Sequence, residues 1–505
     1  MLEIQKKLTN TFYALLALPA TAMGFALSVQ IAALSWILST QFGLDIKDVG
    51  LVWAAGPIAG IIGQVLVGVI SDNVWFWNGR RRPFMIIGGV LAALMLLALP
   101  SIGVINDTLG LDAILGIAIL IALILDLAIN VSFNPTRSVI ADVTPEGRER
   151  TKGYTWMQTV SGTFGVLAYL IGAIWGNFVL IYFGVFLVLA FSLIPPFFIT
   201  EPRHLGQYGD ADLTPSAAGG AAQQHANEDA PKKNEASLLE MLKTIRPLWG
   251  FLVYSVYGLG TRLGVPEIPN YWFEMFCLVL TVYLIGEALF QKEDGKSREE
   301  AGLIGFRKVL AAHSFTWIGI QTMFIYTFAY LKFRMPELGD MELGQVIAWS
   351  FFTLNLVGAL IPATILEPLA AKLGRVKVHA TCIGISAVGY ILILPFGYSP
   401  FMLYGLMAIV GIGWAATISL PFAIMSQKIP QSRMGLYMGL FNLSVVLPQL
   451  VASLGVGEFV DGVEDKSWIF IICAGTLAFS SLAWFLVKEP EDRNTQTPAS
   501  GGGGH

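Results

Sequence analysis

The stretch richest in chemistry is Leu120 to Arg150, LIALILDLAINVSFNPTRSVIADVTPEGRER. It begins as an apolar helix long enough to enter a bilayer, yet Asp126 sits within it between leucines. An acid in hydrocarbon costs about 2.5–3.5 kcal/mol on insertion scales, so such groups face a bundle interior or a wet cavity. At about 100° per residue, Asn130 and Arg137 fall close to the azimuth of Asp126, and Asn134 lies on the same broad side. One helix face therefore carries an acid, two amides and a guanidinium, with Pro135 free to bend it. A buried ion pair that merely holds helices together is the bland alternative. The stacked polar face favours a transport role, the default reading of an intramembrane acid.

Burial penalises the charge of a carboxylate, and a neighbouring cation favours it. Asp126 can therefore switch charge as a cavity opens and closes, with Arg137 as its partner, which is what proton coupling needs. Sodium coupling usually wants two or more clustered carboxylates or carbonyls, and the membrane-embedded part of the N-terminal half offers only Asp126. No G-x-x-x-x-G-K-[ST] loop is present, so ATP is not the expected driver. The expected cofactors are none, with a proton gradient as the driving force.

Amides within other spans are candidates for sugar-like hydrogen bonding: Gln30, Gln64, Gln158, Gln321, Asn355, Asn442 and Gln449, beside Asn130. Each has an alternative as interhelical glue, worth about 0.6 kcal/mol on average. Trp317, with Trp36, Tyr326 and Trp414, offers stacking surface, although aromatic residues in spans also serve as packing and interfacial anchors. His313 reads as structural. The loop from Asp72 through Gly79, Arg80, Arg81 and Arg82 reads as a conformational latch. An acid at a helix end beside guanidiniums makes charge-assisted hydrogen bonds that form while two halves meet on that side.

The elements that position these groups are all membrane helices. Apolar residues make up 55% of the 505, charged residues only 13%, and mean hydropathy is +0.66. A soluble domain carries about 25% charge, so the chain is an all-α polytopic membrane protein. The net charge of −4 gives no reason to expect nucleic acid. Cys277, Cys382 and Cys473 lie in apolar runs with no disulfide or metal spacing. Met1 to Asn10 is polar and runs into a first span, so no cleavable signal is expected, and Gly501–His505 reads as an appended remnant.

Twelve runs reach the roughly 20 apolar residues a span needs: 11–37, 48–70, 83–104, 113–140, 154–176 and 179–199, then 309–331, 345–367, 379–396, 401–426, 435–457 and 467–487. Lysines and arginines gather in the loops on one side, which places both termini in the cytoplasm. The expected organisation is an N-terminal six-helix bundle (1–200), a disordered cytoplasmic linker (201–237), an accessory segment (238–308), a C-terminal six-helix bundle (309–488) and a disordered tail (489–505). The accessory segment holds an amphipathic stretch and apolar runs at 247–261 and 271–290. It reads as a membrane-embedded helix pair, with a re-entrant or surface-lying hairpin as the alternative. GVISDNVWFWNGRRRPF after span 2 is echoed weakly by EPLAAKLGRVKV after span 8. Such an echo marks two halves related by an axis along the membrane normal, with a substrate site near the midplane between them.

FALSVQIAALSWIL, LVWAAGPIAGIIGQVLVGVISD, NGRRRPF and ILDLAINVSFNPTRSVIAD together resemble the sucrose transporter family, in or near the glycoside–cation symporter branch of the major facilitator superfamily. PFAIMSQKIP and MGLFNLSVVLPQLVASLGVG resemble that family's tenth and eleventh spans. The resemblance implies the major facilitator fold and no enzyme activity. It also implies proton-coupled symport of a disaccharide or α-glucoside of the maltose or sucrose type. Asp126 falls on the family's proton-accepting acid, and Asn130 and Arg137 on its polar partners. FAYLKFRM at the end of span 7 departs from the family's acidic pattern, and the accessory segment is absent from it. The expected setting is a bacterial inner membrane, as a monomer whose partners are sugar, proton and bilayer. An exporter, a carrier of a non-sugar solute, and a non-transporting receptor or assembly factor remain as alternatives.

Overall fold

The computed structural model describes residues 3–61, 75–145, 148–202, 238–429 and 433–489. Among these the regular elements are helices, apart from one isolated bridge between Phe76 and Gly79. A chain this apolar satisfies its backbone within each segment because the bilayer core offers no hydrogen-bonding partner.

Span 1 is Asn10–Gln41, capped by Thr9, whose hydroxyl accepts from the Phe12 amide. Span 2 starts as Ile46–Trp53 and stays helical over 55–61. Span 3, Arg82–Ala98, passes through a tight turn at Pro100 into Ile102–Leu109. Spans 4, 5 and 6 are Ile114–Val143, Arg148–Trp175 and Asn177–Phe198. Span 7 is Arg298–Arg334, span 8 Asp340–Ile361, span 9 Arg375–Phe396 and span 10 Pro400–Lys428. Span 11 is Met434–Val451 and span 12 Trp468–Trp484. Spans 8 and 11 each widen into a π-turn, Pro362–Leu366 and Ala452–Val456, before a short closing helix.

The two halves repeat one packing plan. Span 1 lies against spans 5 and 6, and span 3 against spans 4 and 6. Six positions later, span 7 lies against spans 11 and 12, and span 9 against spans 10 and 12. The repeat reaches single residues. A Cβ on Gly89 would run into the Ser192 side chain, and one on Gly384 would lie 2.9 Å from the Ser481 hydroxyl. Small residues at such crossings let backbones approach, which is how helices associate where the hydrophobic effect is absent.

Ten described helices are long and apolar enough to cross a membrane: spans 1, 3 to 6 and 8 to 11, and the second accessory helix. Span 7 is more polar than these because almost all of it, from Ile304 to Leu331, is buried inside the bundle.

The accessory segment is a hairpin. Leu238–Thr244 and a short turn lead into Trp249–Arg262, and Trp272–Phe290 returns. It packs on spans 7 and 11. At one end Glu240 pairs with Arg433, 2.6 Å away at the start of span 11. At the other, Arg262 pairs with Glu458, also at 2.6 Å, in the helix that ends that span. The hairpin thus runs alongside span 11 from one end to the other, which argues against a surface-lying arrangement. Past its return, buried Glu293 and Lys308 pair at 3.0 Å. Asp294 pairs with Lys488, whose hydrogen bond holds the Asp294 carboxyl below the usual carboxylate range.

Candidate functional site

Asp126 is 7% exposed and Gln30 2%. Span 1 brings the Gln30 amide onto span 4, where Nε2 donates to Oδ2 of Asp126 at 2.9 Å. Asn130 lies one turn on and donates its Nδ2 to the Asp126 carbonyl at 2.8 Å. Gly56 in span 2 backs this carboxylate: a Cβ there would lie 3.3 Å from Oδ2. Gln30 Oε1 is buried without a partner among the described residues. A protonated Asp126 would have an O–H to offer that acceptor, whereas an ionised one has none. No ion pair to Asp126 is found among the described residues.

Arg137 shares the azimuth of Asp126 but stands eleven residues along the helix, about 16 Å away at 1.5 Å per residue. Its guanidinium lies 4.7 Å from the centre of the Phe133 ring, and the Tyr154 hydroxyl donates to its carbonyl at 3.3 Å. The wheel aligned the two residues, but the rise keeps them from touching. Arg137 is exposed. So is a polar stripe on span 5, Thr155, Gln158, Thr159, Gly162 and Thr163, at the spacing of one helix face. Gln158 makes no hydrogen bond among the described residues. An amide bare to lipid is costly, so this stripe lines a cleft open to water.

The C-terminal half contributes a chain of contacts. Asn355 donates to the Phe351 carbonyl at 2.9 Å and accepts from Trp414 Nε1 at 3.2 Å. Trp414 meets Trp317 edge-on with centroids 6.3 Å apart, and Trp317 Nε1 donates to His313 Nε2 at 2.9 Å. Gln449 donates to Gln321 at 3.2 Å within the same half. Asn442 is half-buried with no described partner. Gln64 and Asp72 lie outside the described residues.

Sequence reasoning missed Tyr169 of span 5, a tyrosine set in an apolar run. It packs edge-on to Phe351 of span 8, centroids 6.1 Å apart, and its hydroxyl lies within reach of Ser28 and Asn355. It therefore touches both halves.

Beyond Tyr169 the halves close on each other. Trp36 Nε1 donates to the Asp340 carbonyl at 2.6 Å, and Gln345 Nε2 to the Ile174 carbonyl at 3.4 Å. A Cβ on Gly50 would collide with the Ser453 carbonyl oxygen and the Tyr326 hydroxyl. Trp36 and Tyr326, expected as stacking surface, lie in this seal. The described hydrogen bonds and ring contacts between spans 1–6 and 7–12 all lie toward this end, away from the lysine- and arginine-rich face.

On the basic face the latch residues make contacts within the N-terminal half. Trp77 and Asn78, both with positive φ, close a tight turn between Phe76 and Gly79. The amides of Arg80, Arg81 and Arg82 then donate to the Glu201 carboxylate at 2.7, 2.8 and 2.7 Å. Buried Arg81 also pairs with Asp142 at the end of span 4, 3.0 Å away. The C-terminal half repeats the device, with Glu489 accepting from the amides of Arg375 and Val376 at 2.5 and 3.0 Å. A Cβ on Gly79 would lie 2.7 Å from Glu201, and one on Gly374 2.7 Å from Glu489. Each acid stabilises the positive end of a helix dipole, that of span 3 or span 9. Glu201 and Glu489, read from sequence as starting the linker and the tail, are thus fixed by the bundles.

Twelve spans among the described residues, in two packing repeats with a polar cleft open at one face, define the architecture of an alternating-access carrier. The sequence profile of the Major Facilitator Superfamily matches residues 16–336 and 319–503, so the chain belongs to that superfamily and is a multi-pass membrane transporter, not an enzyme. The sucrose transport protein SUT5 of Oryza sativa subsp. indica is 23% identical over 99% of this chain and 91% of its own length. The sucrose transport protein SUC4 of Arabidopsis thaliana is 24% identical over 87% and 82%. The general alpha-glucoside permease of Schizosaccharomyces pombe is 32% identical over a shorter match, 26% of this chain and 25% of that permease. Among solved structures, a mutant of the nucleoside transporter NupG superposes with a TM-score of 0.63 at 12% identity, covering 94% of this chain and 99% of that one. The POT family transporter PepTSo gives 0.62 at 12%, covering 95% and 98%. At these identities the solved structures speak for the fold alone.

Proposed function

We propose that this protein is a proton-coupled symporter of a disaccharide or α-glucoside, working by alternating access. The observation that carries the reading is Asp126, an acid buried where spans 1, 2 and 4 meet, with one amide donor from span 1 and no described cation. Its likeness to sucrose transport proteins and an alpha-glucoside permease supports the sugar class.

In this reading the basic face is cytoplasmic, the membrane is a bacterial inner membrane, and the conformation described here is inward-open. Sugar binds through amides and indoles from both halves, with Asn130, Gln158, Asn355 and the Trp317–Trp414 pair as the nearest candidates. Asp126 takes a proton with the sugar. Neutralising the acid removes the cost of burying its charge and lets the carboxyl complete its pairing with Gln30. The loaded protein can then pass through the occluded state. Water in the inward cleft, with Arg137 at its mouth, restores the carboxylate. The protein works as a monomer with no resident cofactor. Asp72 with Gly79, Arg80 and Arg81 latches the halves in the outward-open state.

Counterflow of labelled sucrose and maltose in proteoliposomes tests the substrate class, and sugar-induced proton influx tests the coupling. Exchange of either sugar with proton entry supports the reading. Absence of counterflow for sucrose, maltose and other α-glucosides would sink it and leave a non-sugar carrier or a receptor.

A further inference from the structure

The accessory hairpin does not lie flush on the bundle. Its helices cross closely where Gly250 meets Thr281: a Cβ on Gly250 would overlap the threonine hydroxyl. Beyond that crossing, toward the face opposite the termini, they leave a cavity of about 860 Å³ against spans 7, 11 and 12. Its walls are mainly apolar, with Leu278, Val282, Phe315, Ile318, Val451 and Phe459 among them. At its outer end a second compartment of about 280 Å³ opens, sharing Tyr254, Tyr271, Glu274 and Glu458 with the first. The outer compartment is polar and acidic. It gathers Glu267, Glu274 and Glu458 around a single cation, Arg262. Glu458 is taken by Arg262 at 2.6 Å. Glu267 and Glu274 have no ion-pair partner among the described residues, and Glu274 Oε2 is buried with no hydrogen bond. Tyr254, Tyr257 and Tyr271 complete the lining with ring faces and hydroxyls.

An apolar groove running along the hairpin and opening into an acidic, tyrosine-lined mouth fits one kind of occupant, an amphiphile uncharged overall whose head ends in an ammonium. We propose that the cleft between the hairpin and spans 7 and 11 is a binding site for a phosphatidylethanolamine molecule of the leaflet at the hairpin tip. Its acyl chains fill the apolar groove, and its ammonium donates to Glu267 and Glu274 beside the tyrosine rings. Charge complementarity chooses the head group. Two uncompensated carboxylates attract an ammonium and repel an anionic lipid, and tyrosine faces add cation–π attraction. The volume lies in the range of sites that enclose a small ligand, and apolar chains bring no polar group to the dry wall that would need a partner. The site lies between the hairpin and the C-terminal half and includes none of the residues proposed for sugar or proton, so it is separate from the sugar cleft and independent of the transport reading.

The test is native mass spectrometry of the full chain, released from detergent after incubation with palmitoyl-oleoyl phosphatidylethanolamine or phosphatidylglycerol. The expected result is at least fivefold greater retention of one phosphatidylethanolamine. The double variant Glu267→Gln, Glu274→Gln should lose that preference with an unchanged melting temperature, and Val282→Trp should lower retention of both lipids. The single variant Glu274→Gln, nearly isosteric, keeps the test open if the double variant does not fold. Equal retention of the two lipids by the unaltered protein would overturn the proposal. So would a preference that survives the loss of both carboxylates.

Discussion

Gln30 Nε2 and Asp126 Oδ2 lie 2.9 Å apart, and the second amide atom of Gln30, Oε1, has no partner among the described residues. The pair is half made. An ionised Asp126 is served by one donor, while a protonated one has an O–H to satisfy the orphan oxygen. Gln30 is thereby placed to follow the protonation of the acid.

Replacing Gln30 by leucine removes both halves of that arrangement. A hydrogen bond to a charged group is worth about 1.5–3 kcal/mol, so proton-driven uptake should fall roughly tenfold to a hundredfold. The leucine variant should still melt within a few degrees of the parent. Initial rates of pH-driven uptake in proteoliposomes decide this, and near-normal rates would show that the amide is only helix glue.

Gly50 tests the seal. A Cβ there would press into the Ser453 carbonyl and the Tyr326 hydroxyl. Gly50→Val should therefore destabilise the closed end by about 1–3 kcal/mol, the usual cost of overpacking. That shifts the population toward the state open at the end this seal now closes. In a background free of native cysteines, Ser28→Cys should become more reactive toward an impermeant thiol reagent added from that end. Labelling unchanged by Gly50→Val would mean that the seal accommodates the extra bulk.

The caps at Glu201 and Glu489 should behave as a matched pair. Glu201→Gln keeps the shape and removes the charge that faces three amides and a helix terminus. Each substitution should cost about 1–2 kcal/mol of stability, within the range of charge–dipole and capping effects. The two should add within about 0.5 kcal/mol because they lie in different halves. Melting temperatures of the single and double glutamine variants provide the check. Strong non-additivity would mean that the caps communicate.

What the sequence revealed, and what it hid, follows from range. The described spans were legible because their apolar runs are local, whereas the second half of span 2 lies outside the described residues and span 7 began well before its apolar run. Its helix begins at Arg298, where Ser297 caps the chain and charged residues continue the helix beyond the apolar run. The weak echo around Gly79 and Gly374 is a structural repeat, but its acids could not be found from it. Glu201 and Glu489 lie 120 and 114 residues from the amides of Arg81 and Arg375. Asp126 stood out as an acid in hydrocarbon, whereas nothing local marked Tyr169. Angular alignment put Arg137 beside Asp126 on a wheel, but a wheel discards the rise along the axis. Trp36 and Trp414 looked alike in sequence, yet the packing of the halves sets one in the seal and the other against Trp317, Phe324 and Asn355 within the C-terminal half.

Asn355 orients the Trp414 indole by accepting from Nε1 at 3.2 Å. Asn355→Leu should leave the ring packed but free to turn and should strand the indole N–H. If Trp414 presents a face to sugar, the half-saturation concentration for counterflow should rise about tenfold, the effect of roughly 1.4 kcal/mol. The maximal rate should change little. Asn355→Ser, which keeps a small acceptor, should recover part of the affinity. An unaltered half-saturation concentration in the leucine variant would remove this pair from the sugar site.

Asp126 carries the sharpest prediction. Only an acid whose proton occupancy differs between the inward- and outward-open states can couple sugar movement to a pH gradient. Asp126→Asn is nearly isosteric and permanently neutral, so it mimics the protonated form, and its amide can still meet Gln30. Sugar binding and counterflow need no net proton movement and should survive at least in part. Accumulation driven by an imposed pH gradient should vanish, and sugar-induced proton influx with it. Near-normal proton-driven accumulation by the asparagine variant would assign the proton to another group, with buried His313 first in line because it sits at the end of the Trp317–Trp414 chain. Loss of counterflow as well, in protein that still melts cooperatively, would instead make this carboxylate a ligand or a structural tie.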